Sequence, residues 1–256
     1  MKWFFYKLEL QHEFLGGYQY LDNCGKILSI AETEHNYLSS GGDTKKATIE
    51  KPEDKIVGIF SPVSFQLAQE EPSDSGTLLL KEFCSLEKLI FENIKPNSLN
   101  FTRCSIETLF PVESEENIFQ IMSSFDNPLF NQLSKTLSRK KLLENINFMF
   151  RTGSVDLECQ INGLKCSEEK NSKVMSPFFA TDKQKSITER RNNKKANMAG
   201  KDFSFAIMLS VSATDRAAIF PCQENNWHSV IENNFKISKS STEIIQKELE
   251  KCWKHE

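Results

Sequence analysis

Residues 145–167, NINFMFRTGSVDLECQINGLKCS, decide how the fold is read. Apolar residues alternate with polar ones through two turn signals, Thr152-Gly153 and Asn162-Gly163, a pattern that predicts a three-stranded antiparallel meander. Turns this short need φ > 0 at their centre, which glycine and asparagine adopt at least cost. With Thr152-Gly153 as a two-residue loop, Phe150 faces Val155, Phe148 faces Leu157 and Ile146 faces Cys159. All six then share one side of the sheet. The second turn sets Ile161 against Leu164 and Cys159 against Cys166. The other side carries Asn147, Met149, Arg151, Asp156, Glu158, Gln160 and Lys165.

Downstream, Phe203–Val211 (FSFAIMLSV) is almost continuously apolar, as a strand buried on both faces and central in its sheet would be. Upstream, Phe4, Tyr6, Leu8 and Leu10 alternate with Lys7, Glu9 and Gln11, which predicts a strand over residues 2–15. Gly16-Gly17 and Asn23-Cys24-Gly25 read as turns leading to a further strand at Lys26–Ile30. Residues 32–54 read as polar, with Ser39–Asp43 a flexible tip. Lys55–Phe60 reads as a short interior strand, Gln69–Gly76 as a loop and Ser98–Ile106 as a weaker strand. Thr77 is placed to cap a helix from Leu78 to Asn93, whose Leu79, Leu80, Phe83, Leu86 and Ile90 share one face. Ser114 caps a second helix, with Glu115 and Glu116 in its first turn. Leu129–Leu143 is helical by composition, and a helix falls near Glu224–Phe235. A last helix starts at the capping box of Ser240 and Glu243.

These elements predict an α+β fold, a mainly antiparallel sheet with helices packed on one side. Its ends would meet through pairing of the N-terminal strand with Phe203–Val211. The expected organisation is a single domain over residues 1–256 with a flexible basic insertion at 168–201. A hydrophobic content of 39% and a mean hydropathy of -0.45 suit an ordinary core with long polar loops. Twenty Phe against 4 Tyr and 3 Trp implies rings that are buried or that line an apolar groove, since Phe has no polar tip.

A net charge of -3 points to neither nucleic acid nor membrane. No apolar run reaches the ~18 residues that would span a bilayer. The odd count of 7 Cys without framework spacing favours reduced thiols and a cytoplasmic setting. The start, MKWFFYKLEL, is interrupted by Lys7 and Glu9 and does not read as a signal peptide. No metal or cofactor motif is present, and none of His12, His35, His228 and His255 has a nucleophile at motif spacing; Cys222 with His228 would meet only by accident of folding.

Charge is concentrated at 183–201. Lys183, Lys185, Arg190, Arg191, Lys194 and Lys195 form a candidate polyanion-binding set, with Lys201 beyond them and Glu189 alone against them. Such a segment could follow a phosphate backbone, blind to sequence because it lacks aromatics for base stacking. The plainer reading is a solvated insertion. Asp156 and Glu158 share a strand face, ~7 Å apart, and could hold Mg²⁺; the plainer reading is the wet side of a sheet. Asp156 with Glu168-Glu169-Lys170 resembles the acidic-plus-lysine pattern of restriction-type nucleases, which would imply phosphoryl chemistry. There, however, the Glu-x-Lys element sits on an apolar strand, and here it lies in a polar stretch.

The expected function is a non-enzymatic binding or assembly subunit, acting on a protein partner through loops and an apolar surface. The alternative is a nucleic-acid-binding or nuclease-like protein using residues 183–201 and Asp156/Glu158.

Overall fold

The computed structural model describes residues 2–72, 76–124, 145–169, 172–177, 203–216 and 224–254. In chain order these form β1 (Phe4–Leu15), α1 (Tyr20–His35), β2 (Leu38–Gly42), β3 (Ala47–Lys51), β4 (Ile56–Phe60) and β5 (Ser64–Glu70). There follow α2 (Thr77–Ile94), β6 (Ser98–Val112), α3 (Glu115–Ser124), β7 (Asn145–Thr152) and β8 (Val155–Glu169). The described chain closes with β9 (Ser172–Pro177), β10 (Phe205–Asp215) and α4 (Glu224–Lys254).

All ten strands join one sheet, in the order β2-β3-β4-β5-β1-β6-β10-β8-β7, with β9 also pairing β8, and every pairing is antiparallel. The fold is α+β, as the residue pattern predicts. Setting aside the β2–β3 hairpin, the run β1-α1-β4-β5-α2-β6 lies in the order β4-β5-β1-β6, which is a split β-α-β unit. β10, β8 and β7 then extend the sheet beyond β6.

The core lies between the sheet and the helices. Leu8, Leu10 and Phe14 of β1, Phe65 and Leu67 of β5, and Leu79, Phe83 and Ile90 of α2 are fully buried in one cluster. Each such side chain contributes about 1.5–3 kcal/mol by leaving water. A second cluster joins Ile207, Leu209 and Val211 of β10 to Cys159 and Ile161 of β8, Ile118 and Met122 of α3, and Leu249 of α4.

Helix α4 runs unbroken where the sequence predicts two helices. Ser240 bonds back to the Ile237 carbonyl at 3.1 Å, inside the helix, rather than capping a new one. What holds the continuous helix is polar docking onto the sheet. Ser238 donates its hydroxyl to the Cys104 carbonyl (3.0 Å) and accepts from the Ala213 amide (3.1 Å), bridging residues that face each other across β6 and β10. Asn234 donates to the Thr102 carbonyl at 2.9 Å. Buried Ser, Thr and Asn look like helix interruptions in sequence, but here they satisfy backbone groups of the neighbouring strands.

The deciding stretch is corrected at both of its turns, the first by a slip and the second by its absence. β7 and β8 form the first hairpin, but its loop is Gly153-Ser154, with Gly153 at φ 62°, so Phe150 pairs with Leu157 and Phe148 with Cys159. The slip is two residues, so every residue of this hairpin keeps its expected face. Asn162-Gly163 is no turn, because β8 runs straight through it from Val155 to Glu169, paired with β10. Gly163 is there for space: a Cβ on it would lie 2.6 Å from Cγ2 of Ile118, where α3 crosses the strand. Cys159 and Cys166 are therefore seven residues apart on one strand, pairing with Phe148 and Met175, and are not neighbours. Lys165 consequently shares its parity with Cys159 and not with Glu158.

Other expectations change as well. Residues 20–35 are helix rather than a returning hairpin, because Tyr20, Ile27 and Ala31 fall on one buried helical stripe. Ser39–Asp43 belongs to a β2–β3 hairpin, not a flexible tip; Asp43 accepts the amides of Lys45 (2.7 Å) and Lys46 (2.9 Å) at its turn. β1 does not reach β10, since β6 lies between them. Glu168 and Glu169 end β8, and Ser172–Pro177 is strand, so the start of the expected loop at 168–201 is sheet. The helix expected at Leu129–Leu143 lies outside the described residues.

Candidate functional site

The strand registers sort side chains onto two faces, and among the described residues the helices pack on one of them. Leu8, Cys104, Val211 and Cys159 face the helices. Their neighbours along each strand, Glu9, Ser105, Ser212 and Glu158, face the other way. This helix-free face is polar across its middle: Arg103 donates to Ser212 (3.2 Å), Ser212 to Ser105 (2.8 Å) and Gln160 to Glu158 (2.8 Å). One corner is apolar. Leu109, Leu164 and Ala206 are buried there, with Phe4, Tyr6, Phe203 and Met208 half-buried around them.

Among the described residues the same face carries Glu9, Glu13, Glu50, Glu70, Glu107, Asp156 and Glu158 against Lys7, Arg103, Arg151 and Arg216, seven carboxylates to four cations. Burial pushes the Glu107 carboxyl above its ordinary value, with Lys7 pulling the other way and Glu9 adding to the rise. A surface of this sign repels phosphate.

β7 closes one side of the sheet, and among the described residues no strand lies beyond it. It pairs with β8 one for one over eight residues, without a bulge. Met149 on the helix-free side and Phe150 on the helix side are 62% and 56% exposed. Arg151 is its only charged residue. A regular edge of this length, with Met149 and Phe150 exposed, offers its outward backbone groups to another strand.

Deep in the molecule a second polar constellation joins four elements. His12 of β1 and Glu87 of α2 are fully buried, with His12 Nε2 2.5 Å from Glu87 Oε1 and His12 Nδ1 2.9 Å from Thr102 Oγ1 of β6. His228 of α4 contacts the other Glu87 oxygen through Nδ1. Burial alone would raise the Glu87 carboxyl, but the two imidazoles override it and hold the group below its ordinary value. An ionised carboxylate only accepts, so both imidazoles donate to it. Phe83, Phe91 and Trp227 pack around the His12 ring at 5.0–5.9 Å between centroids. The order Thr–His–Glu has the form of a nucleophile–base–acid relay, but Thr102 and His12 are sealed from solvent. The chain of bonds is a brace between sheet and helices.

Lys183, Lys185, Arg190, Arg191, Lys194 and Lys195 lie outside the described residues. Of the described residues on either side of them, Pro177 pairs with Leu164, and the Phe203 ring packs 5.9 Å from Phe4. Asp156 and Glu158 do share the helix-free face, but they do not converge. Arg151 donates to Asp156 at 2.6 Å and Arg216 donates to it at 3.3 Å, and these guanidiniums hold the Asp156 carboxyl below the usual range. Glu158 instead accepts from Gln160 and Asn147. Twelve residues of one continuous strand separate Asp156 from Glu168, ~40 Å at the strand rise, so the nuclease-like pattern forms no site.

Sequence reasoning does not single out Glu87, and it finds no chemical partner for His228. Their partners lie far off in the chain, and no local spacing announces them. Scanned against models of known protein families the chain matches none, and a search of curated proteins finds no match. No helix among the described residues is long and apolar enough to cross a membrane.

Proposed function

We propose that this chain is a non-enzymatic binding or assembly subunit whose working surface is the β7 edge with the adjoining helix-free face. The observation that carries the reading is the edge itself: eight regular residues with a single charge, apolar at Ile146, Phe148 and Phe150 on one side and exposing Met149 on the other. The occupant that fits is an extended segment of a protein partner, added as a further antiparallel strand. Main-chain hydrogen bonds would supply affinity, and contacts to Met149 and Phe150 specificity. The carboxylate surplus on the neighbouring face favours a basic partner surface.

The test is recovery of partners with the tagged chain from its native cells. Met149→Lys and Phe150→Lys should each lose a stoichiometric partner that the wild type retains. Ile244→Lys, at an exposed position on α4, should keep it. Loss with Ile244→Lys alone would move the interface to the helices and end this reading.

A second reading rests on charge, with residues 183–201 binding a polyanion. Replacing Arg190, Arg191, Lys194 and Lys195 by Gln should then abolish low-salt binding to single-stranded nucleic acid. Undiminished binding by that variant rejects it.

A further inference from the structure

We infer that Cys84, Glu87 and His228 form a zinc site between α2 and α4. Cys84 and Glu87 stand three residues apart on one face of α2, and His228 approaches from α4. Cys84 Sγ, a Glu87 carboxylate oxygen and a His228 ring nitrogen all lie within 4.8 Å of one another. Tetrahedral zinc, with bonds of about 2.0–2.3 Å, needs its ligand atoms roughly 3.4–3.7 Å apart. The widest pair therefore closes by about 1 Å, and the contacting Glu87–His228 pair opens by about as much, movements within reach of side-chain rotation.

Three features separate this cluster from a chance meeting of polar groups. Thiolate, carboxylate and imidazole together suit zinc, whereas magnesium and calcium take oxygen alone. The supporting shell is already built: the second Glu87 oxygen accepts from His12, which Thr102 holds in turn, the arrangement that orients metal-bound carboxylates. The charges also close, since one thiolate and one carboxylate balance Zn²⁺. As the metal binds, Cys84 gives its thiol proton to solvent, and the His228 imidazole ligates through Nδ1 with its proton moved to Nε2. Cys84 and the 35%-exposed His228 ring leave the outer side open, so water takes the fourth position.

The experiment uses the full chain, stripped with chelator and then titrated with Zn²⁺, with metal counted by mass spectrometry. Co²⁺ serves as a spectroscopic substitute. The expected result is one metal per chain and a thiolate-to-cobalt charge-transfer band. Cys84→Ser should lose the band, and Cys84→Ser and His228→Gln should each bind zinc at least about 100-fold more weakly, since even outer-shell changes cost 10–100-fold. Cys24→Ser, on the half-buried thiol of α1, should bind as the wild type does. Should Cys84→Ser fail to fold by circular dichroism, His228→Gln at the rim carries the comparison. Substoichiometric zinc on the wild type, or wild-type affinity in His228→Gln, overturns the site.

Discussion

The two edges of this sheet are built on opposite principles. β2 is five residues long, glycine-rich, and broken by a register shift between Ser39 and Gly41. Its Ser39 amide is already taken, donating to Oε1 of Glu32 on α1 at 3.3 Å. Although Leu38 is exposed there, the backbone has little to offer a further strand. β7 has none of these protections. Proteins routinely blunt sheet edges with bulges, short strands and charges, so a regular edge that exposes Met149 and Phe150 is the one we propose to be paired. One end of the sheet is finished, and in the proposed reading the other is where a partner's strand would add.

The largest expected effect comes from breaking the braced end. Glu87→Ala leaves His12 buried without its carboxylate and should cost about 3–5 kcal/mol, read from denaturant midpoints, while the β7 edge remains intact in any molecule still folded. The wild type should lose stability in acid for the same reason. The folded Glu87 carboxyl sits below its ordinary value of 4.5, so its contribution is full above that pH. It is lost as the pH falls through the folded value. A stability profile of Glu87→Gln that still shows the full wild-type acid loss would sever that link.

Gly163→Ala acts at the open end, where a new methyl meets Ile118 of α3. Overpacking of this kind should cost about 1–3 kcal/mol in thermal or chemical unfolding, and the cost should shrink in an Ile118→Ala background, which lacks the Cγ2 that the new methyl meets. If Asn162-Gly163 were a turn, the cost would be the same in both backgrounds.

The smallest effect falls on the helix-free face. Burial raises the Glu107 carboxyl, so its charged form opposes folding, and wild-type stability should gain as the pH drops from the folded value toward the ordinary one. Glu107→Gln removes that opposition and should stabilise by up to about 1 kcal/mol at neutral pH. A clear loss of stability would show the Lys7–Glu107 attraction to outweigh burial.

The fold class was legible because it rests on periodicity. Phe4–Leu15, Ile56–Phe60, the β7–β8 hairpin and Phe205–Asp215 each carry a two-residue alternation or an apolar run that local chemistry enforces. The misreadings share a physical cause. Asn162-Gly163, Asn23-Cys24-Gly25 and Ser240 all have turn or cap chemistry, yet their environments use them differently. Gly163 makes room for Ile118, and Ser238 beside Ser240 serves the backbone of two strands. Tertiary contacts override a local signal when a neighbouring element needs the small or polar side chain. The constellation at Glu87 was invisible for the same reason: His12, Glu87, Thr102 and His228 meet only once α2 and α4 dock on β1 and β6. The openness of β7 was also hidden, because the second turn, had it formed, would have given that hairpin a different neighbour.

The central claim is that β7 is an unfilled edge completed by a partner's strand. Amide hydrogen exchange, read residue by residue over Asn145–Thr152 with and without the bound partner, tests it most directly. In the isolated chain the β7 amides should exchange far faster than those of the interior strands β6 and β10, and partner binding should slow them by at least about tenfold as their outward groups become paired. Protection of β7 equal to that of β10 in the isolated chain, or exchange unchanged by the partner, would contradict it.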